Sequence, residues 1–482
     1  MKTKKLATAV ASLAMVASIV SAMPLGVSAA GTSYTSGLTI ATDGTNAVSK
    51  NKTSFDKYLV MNVNANVPNA TFDFAITKYD GEQAEKAVLV DAANGNLAVI
   101  NGVTTLSGNG TLNFKANDSD NTGSAIAGEV KFAPSDDTVV ETEHANTDSV
   151  VWQDGTIGNE KYAKKTLTLD FSTVQFTEPG VYRYLITETG ANQGVSNDTG
   201  VTDAGNTYRT LDVYVEDYTD YYNNLSDKTG YTEPNGKELF ISGYVLYEGK
   251  HDAAPSATAE EITGKSSSYT NAYDSYDLTF SKTVTGNQGS KDKYFAFTVK
   301  IENAVAGTVY DVSYADDNNA NTTDGNADAS ISANPNSATT CINTAVTQPD
   351  TITVPSDKTE VTQTFYLQHG QKIAIRGLAK GTKYTITEAP EDYSVSAVAT
   401  AGTDKNTGDE NGSGSAITLA NNAMSDDYIQ GDAVIDFTND RSGAIPTGIL
   451  TTVAGSAGIV VLGIVGVIAG VVYVKKKKSE EE

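Results

Sequence analysis

The sequence predicts an all-β fold arranged as tandem sandwiches, on three observations. Thr, Tyr, Gly and Asn are abundant while runs of helix formers are few, a balance that favours pleated, half-buried surface. Apolar and polar residues alternate in several places: Leu167, Leu169 and Phe171; Leu211, Val213 and Val215; Phe295, Phe297 and Val299. That period of two, broken by Gly, Asn and Asp turns, marks strands with one buried face. The third observation is a set of Lys, Glu and Asn landmarks that occurs twice in the same order. Outside the termini no dozen-residue stretch shows a 3.6-residue period.

At the amino end, Lys2, Lys4 and Lys5 precede an apolar stretch from Leu6 to Val20, and Val27, Ser28 and Ala29 supply small residues. These are the three parts of a secretory signal peptide over residues 1–29, with Ala30 as the alternative cleavage point. Residues 30–53 are Gly/Thr-rich and expected to be a flexible lead-in. A first sandwich is expected over 54–272 and a second over 273–441, stacked end to end because almost no linker separates them. Residues 442–448 carry an Ile-Pro-Thr-Gly stretch, Ile445 to Gly448, with Pro446 and Thr447 between. The uncharged run Ile449 to Val474 is long enough to cross a hydrocarbon core of roughly 30 Å as a helix. Lys475 to Lys478 then place residues 475–482 on the cytoplasmic side and everything ahead of Ala444 outside.

Charge and cysteine count exclude several functions. Setting aside three lysines of the leader, four of the tail and the three glutamates behind them leaves 27 basic and 56 acidic residues, a net −29. Such a surface argues against nucleic acid or anionic lipid as partner. A single cysteine, Cys341, rules out an intramolecular disulfide framework in an exported chain. Stability then has to come from core packing or from another crosslink.

The repeated landmarks suggest which crosslink. Lys57 is followed by TFDF with Phe72 and Phe74, and Lys282 by YFAF with Phe295 and Phe297. YLITE ends at Glu188 and YTITE at Glu388; SYTN ends at Asn271 and DFTN at Asn439. Lys to Asn spans 214 positions in the first unit and 157 in the second, so the first is expected to carry extra loops, around residues 80 to 160. The period of two puts Glu188 on one face with Tyr184 and Ile186, and Glu388 with Tyr384 and Ile386. A carboxyl buried there is pushed toward its protonated form and a buried lysine toward its neutral form. A neutral amine, a carboxamide and an acid that shuttles protons are what amide exchange requires.

In these triads both units resemble the isopeptide-linkage domains of Gram-positive backbone pilins, which are immunoglobulin-like β-sandwiches. The resemblance spans about residues 50 to 448, the extra loops of the first unit excepted. It implies a Lys57–Asn271 bond assisted by Glu188 and a Lys282–Asn439 bond assisted by Glu388, formed without an enzyme or cofactor. The tail likewise resembles a cell-wall sorting signal, which a sortase would cut between Thr447 and Gly448. Pro446 directly precedes Thr447, as in the Val-Pro-Thr-Gly variant of some backbone pilins, which leaves the sortase class open. Polymerisation needs an exposed acceptor lysine. No Tyr-Pro-Lys motif is present; Lys265, in ITGKSSSYTN, matches the position used by similar two-domain pilins, and Lys250 is the alternative.

The resemblance implies a structural pilus subunit on the surface of a Gram-positive bacterium, membrane-spanning only before sorting. Its partners would be a pilin-class sortase, other copies of itself, tip and base pilins, and peptidoglycan. The alternative is a monomeric wall-anchored adhesin on a stalk of the same domains. Other signals are weaker. Asp118, Asp120, Gly123 and Glu129 have the spacing of a calcium loop but lack flanking helices. Cys341 with Gln348 only loosely matches an internal thioester. His144, His251 and His369 have no ligand spacing. No nucleophile elbow or phosphate loop is present.

Overall fold

The computed structural model describes residues 49–443 apart from 79–98, 101–112, 117–126, 143–149, 172–175, 177–178, 191, 199–201, 204–205, 251–265, 267, 317–347, 390, 400–414, 418 and 427. The signal peptide, the lead-in up to residue 48, Ile445 to Gly448, the apolar tail, Lys265, Cys341, Asp118, His144 and His251 lie outside the described residues. The regular secondary structure of the described residues is almost entirely strand, gathered into four sheets. This is the all-β architecture that the alternation predicts.

Two sheets come from residues up to Tyr273. In one, the neighbours run Asn113–Ala116, Glu160–Asp170, Lys52–Asn62, Ser268–Tyr273 and Val195–Ser196. The other runs Thr202–Asp203, Asn206–Asp217, Gly180–Thr189, Ala70–Lys78 and Ala127–Phe132, with Leu239–Glu248 on the far side of Asn206–Asp217. Their facing sides meet in one apolar core that includes Phe55, Leu59, Phe72, Phe74, Leu167, Ile186, Val213 and Tyr269. The remaining pair repeats the plan. Gln371–Ala379, Ser275–Thr285, Ala433–Asp440 and Ser394–Ala399 are successive in one sheet; Glu360–Leu367, Phe295–Glu302, Lys383–Glu388 and Ala423–Asp426 form the other. Phe280, Phe295, Phe297, Ile375, Ile386 and Phe437 fill the core between them. Fully burying each such side chain contributes about 1.5–3 kcal/mol, which is why inward positions keep their period of two.

The pairing of each unit's first and last strands fixes the path of the chain. Lys52–Asn62 lies parallel to Ser268–Tyr273, and Ser275–Thr285 lies parallel to Ala433–Asp440. A parallel pair cannot be closed by a hairpin, so the whole of each unit intervenes between its two partners. The chain therefore enters and leaves each unit in the same direction, along adjacent strands.

Only Asp274 separates the closing strand of one unit from the opening strand of the next. The junction is held by polar contacts: the Tyr273 hydroxyl donates to the Gly377 carbonyl at 3.1 Å, Asn66 Nδ2 to Val309 O at 3.1 Å, and Asn69 Nδ2 to Ala306 O at 2.7 Å. Gly377 sits at φ +72°, and a Cβ there would stand 2.7 Å from the Ala65 Cα. That position needs glycine for both its torsion and its close approach.

One element departs from expectation. Residues Tyr218–Asn224 form a short helix, N-capped by Asp217, whose carboxylate accepts from the amides of Thr219 at 2.7 Å and Asp220 at 3.4 Å. Seven residues are too few for a dozen-residue periodicity to register. The helix also places part of the first unit's extra length after residue 217, beyond the 80–160 range expected for it.

Gly377→Val should lower the thermal unfolding midpoint, by the equivalent of about 1–3 kcal/mol for a β-branched residue forced into the left-handed region. Differential scanning calorimetry would measure it; an unchanged midpoint would mean that the junction does not contribute to stability.

Candidate functional site

Each half of the molecule buries one Lys, one Glu and one Asn together, in the same register. Lys57 lies opposite Tyr269 in the parallel ladder, and Leu59 opposite Asn271. Lys282 likewise lies opposite Phe437, and Val284 opposite Asn439. Alternation then turns the Lys and the Asn of each pair to the same, inner face. The glutamate arrives from the opposing sheet. Glu188 is paired with Phe74, and Glu388 with Phe297. Six residues that are far apart in sequence thus occupy two equivalent sites because both units use the same strand registers.

In the first site Lys57 Nζ donates to Glu188 Oε2 at 2.7 Å and also to Asn271 Oδ1. The ammonium lies 4.1 Å from the centre of the Phe72 ring. In the second, Lys282 Nζ donates to both Glu388 oxygens at 2.8 and 2.9 Å, and Asn439 Nδ2 donates to Glu388 Oε1 at 2.5 Å. Phe295 stands 4.5 Å from Lys282 Nζ, the counterpart of Phe72. Lys57, Lys282, Glu388 and Asn439 have no solvent exposure, and Glu188 and Asn271 almost none.

Burial determines the protonation states. Removal from water holds both lysines below their ordinary value, Lys282 at about 8, and lifts Glu188 and Glu388 above the usual carboxylate range. The attraction between the partners opposes both shifts without reversing them. At pH 7 an amine with that value is free in roughly a tenth of molecules, enough to act as a nucleophile. Asn439 Oδ1 is buried with no hydrogen-bond partner among the described residues. A half-turn of its carboxamide would bring that oxygen to a protonated Glu388, which could then polarise the carbonyl.

Two other charged groups adjoin the first site. Arg209 is in phase with Leu211, Val213 and Val215, so the sequence marks it as an inward-facing charge; it was not among the expected site residues. It pairs with buried Asp198 at 2.6 Å. Of the remaining residues, Lys250 is exposed with its Nζ 4.5 Å from the centre of the Tyr208 ring. Gln348 bonds the backbone of Tyr366 through both ends of its amide. His369 is buried, its Nδ1 accepting from the Val284 amide at 3.0 Å. Among the described residues no group of His, Cys, Asp and Glu could hold a metal ion.

Comparisons with known proteins bear on this arrangement. A family model described as a domain of unknown function, DUF7601, matches residues 276–423. A curated protein named pilin, from Streptococcus pyogenes serotype M1, is 27% identical over 318 residues, covering 65% of this chain and 73% of its own length. The crystal structure of the major pilin from Streptococcus pyogenes aligns over 81% of this chain and 99% of its own, at 20% identity and a TM-score of 0.41. A further major pilin structure from the same species aligns with 16% identity and a TM-score of 0.42, over 81% of this chain and 100% of its own. The resemblance to Gram-positive backbone pilins is thus supported by the curated relative.

Breaking one buried pair should be costly. In an Asn439→Ala background, adding Lys282→Met leaves the Glu388 charge without its partner and should cost about 3–5 kcal/mol in urea unfolding at neutral pH. The cost should shrink as pH falls through the raised Glu388 value, because protonation removes the charge in the folded state. A loss that does not vary with pH would show that Glu388 is not the orphaned charge.

Proposed function

We propose that this chain is the repeating shaft subunit of a covalently polymerised surface pilus, stiffened by two intramolecular Lys-Asn isopeptide bonds. The observation that carries the proposal is the twofold placement of Lys, Asn and Glu at matching registers of first strand, last strand and opposing sheet. The curated pilin relative supports assembly from copies of the same chain.

In the crosslinking step the neutral Lys Nζ attacks the Asn side-chain carbonyl carbon while the protonated Glu hydrogen-bonds the carbonyl oxygen. The Glu then relays the proton released by the amine to the departing nitrogen, which leaves as ammonia. A Lys-Asn amide remains, and no oxidant, metal or cofactor is consumed. The glutamates act once, on their own chain, so the protein turns over no substrate.

Such bonds suit a load-bearing fibre because of where they lie. Each joins the strand by which the chain enters a unit to the strand by which it leaves. Tension applied at the ends would bypass the interior of each unit and run through residues 271–282 and those beyond 439. Each bond also closes a very long loop, restricting the unfolded chain by about 5 kcal/mol. The fibre itself would form when a sortase, having cut after Thr447, passes its carbonyl to Lys265 of the next subunit, with Lys250 as the alternative acceptor.

Intact mass gives the direct test. The folded chain should be lighter than its sequence by two ammonia masses, and Glu188→Ala and Glu388→Ala should each regain one. An undiminished mass, with Lys57 and Lys282 open to amine reagents after unfolding, would remove the crosslinks. Detergent-boiled wall extracts should show a ladder of regularly spaced bands that collapses in Lys265→Ala. A single band in the parent would favour the monomeric adhesin, and a ladder that survives Lys265→Ala would transfer the acceptor role to Lys250.

A further inference from the structure

The two sites are not identical. Arg209, on the strand beside Glu188, lies opposite Ile186; in the second unit Met424 lies opposite the corresponding Ile386. One register position thus holds a guanidinium in the first unit and a thioether in the second. Arg209 is buried and spans the sandwich. Its Nη2 donates to Asp198 Oδ2 at 2.6 Å, its Nε to Ser266 Oγ at 2.9 Å and Ser268 O at 3.2 Å, and its Nη1 to Tyr208 O at 3.0 Å. The guanidinium carbon stands 4.5 Å from the centre of the Tyr269 ring. Tyr269 is the residue opposite Lys57, and its hydroxyl donates to Ile186 O at 3.1 Å on the Glu188 strand.

Stability alone gives no reason for this pair. Replacing a buried ion pair by apolar groups is often neutral or favourable, and the second unit packs Met424 there. What differs is the closing strand: six ladder pairs hold Ser268–Tyr273 to the opening strand, against eight for Ala433–Asp440. The shorter strand has fewer main-chain bonds to set the position of its asparagine.

We propose that Asp198 and Arg209 are positioning residues for the first crosslink, tying the start of the closing strand to the Glu188 side of the sandwich so that the Asn271 carboxamide meets the Lys57 amine. This rests on the crosslinking function proposed above. Charge acts on both partners. Glu188 is faced by Lys57, Asp198 and Tyr269; the Asp198 carboxylate favours protonated Glu188 and also charged Lys57, an effect on the amine that the Arg209 guanidinium opposes.

The test measures bond formation at each site in the same molecules. The full chain is made by cell-free translation, quenched in denaturant at intervals and digested, and ammonia loss at each Lys-Asn pair is read by peptide mass. Arg209→Met with Asp198→Leu removes both charges, so neither is orphaned, and gives position 209 the residue type that the second unit has there. In that double variant the Lys57–Asn271 bond should form about tenfold or more slowly relative to the Lys282–Asn439 bond, as expected for a misplaced near-attack geometry. Asp198→Asn should move the pH profile of the first bond toward lower pH, since Glu188 loses a neighbouring negative charge, and leave that of the second in place. A first bond that keeps pace in the double variant, or an unmoved profile in Asp198→Asn, would overturn the proposal. A parent that loses no ammonia at either pair would remove the crosslinking function itself.

Discussion

The rest of this structure depends on a lysine and a glutamate being taken out of water side by side, twice. Desolvating such a pair costs several kcal/mol per ion, and the attraction between the partners only partly offsets it. Aromatic walls make the cost unavoidable: Phe72 and Phe295 cover the two amines and leave no path to solvent. A neutral amine and a neutral acid relieve it by moving one proton. Fusing the amine to the adjacent carboxamide would relieve it permanently, because an amide carries no charge in the core. The strain of burial and the proposed chemistry thus have a single origin.

The sheets serve that constraint. A lysine and an asparagine can meet only if the strands bearing them are neighbours. The parallel pairing of first and last strands achieves this, with the Asn two residues beyond the position opposite the Lys. The glutamate must come from across the core, where the pairings Phe74–Glu188 and Phe297–Glu388 place it. The same topology aligns entry and exit of the chain, so a covalent tie at these strands lies on the path that tension would take. The junction continues that logic, with a single residue between units and close glycine contacts instead of a loose linker.

Much of this was legible in the sequence because it was written twice. A lone Lys, Glu or Asn is ordinary, but Lys57 and Lys282, Glu188 and Glu388, and Asn271 and Asn439 recur in one order with shared neighbours, and alternation alone turns the glutamates inward. Arg209 was equally in phase with its apolar neighbours, yet without a counterpart in the second unit it had no repeat to announce it. The helix at Tyr218–Asn224 was too short for its period to register. Residue types, their order and their period are local properties, so the sequence by itself determined the fold class and marked the Lys, Glu and Asn positions that recur in one order. Which strands become neighbours and the two-residue offset between Lys and Asn arise from ladders between first and last strands more than 150 positions apart, and the pairing of Arg209 with Asp198 from a side-chain contact that those strands frame. Only the folded sandwich decides those, because register across a core is set by the packing of all its strands at once.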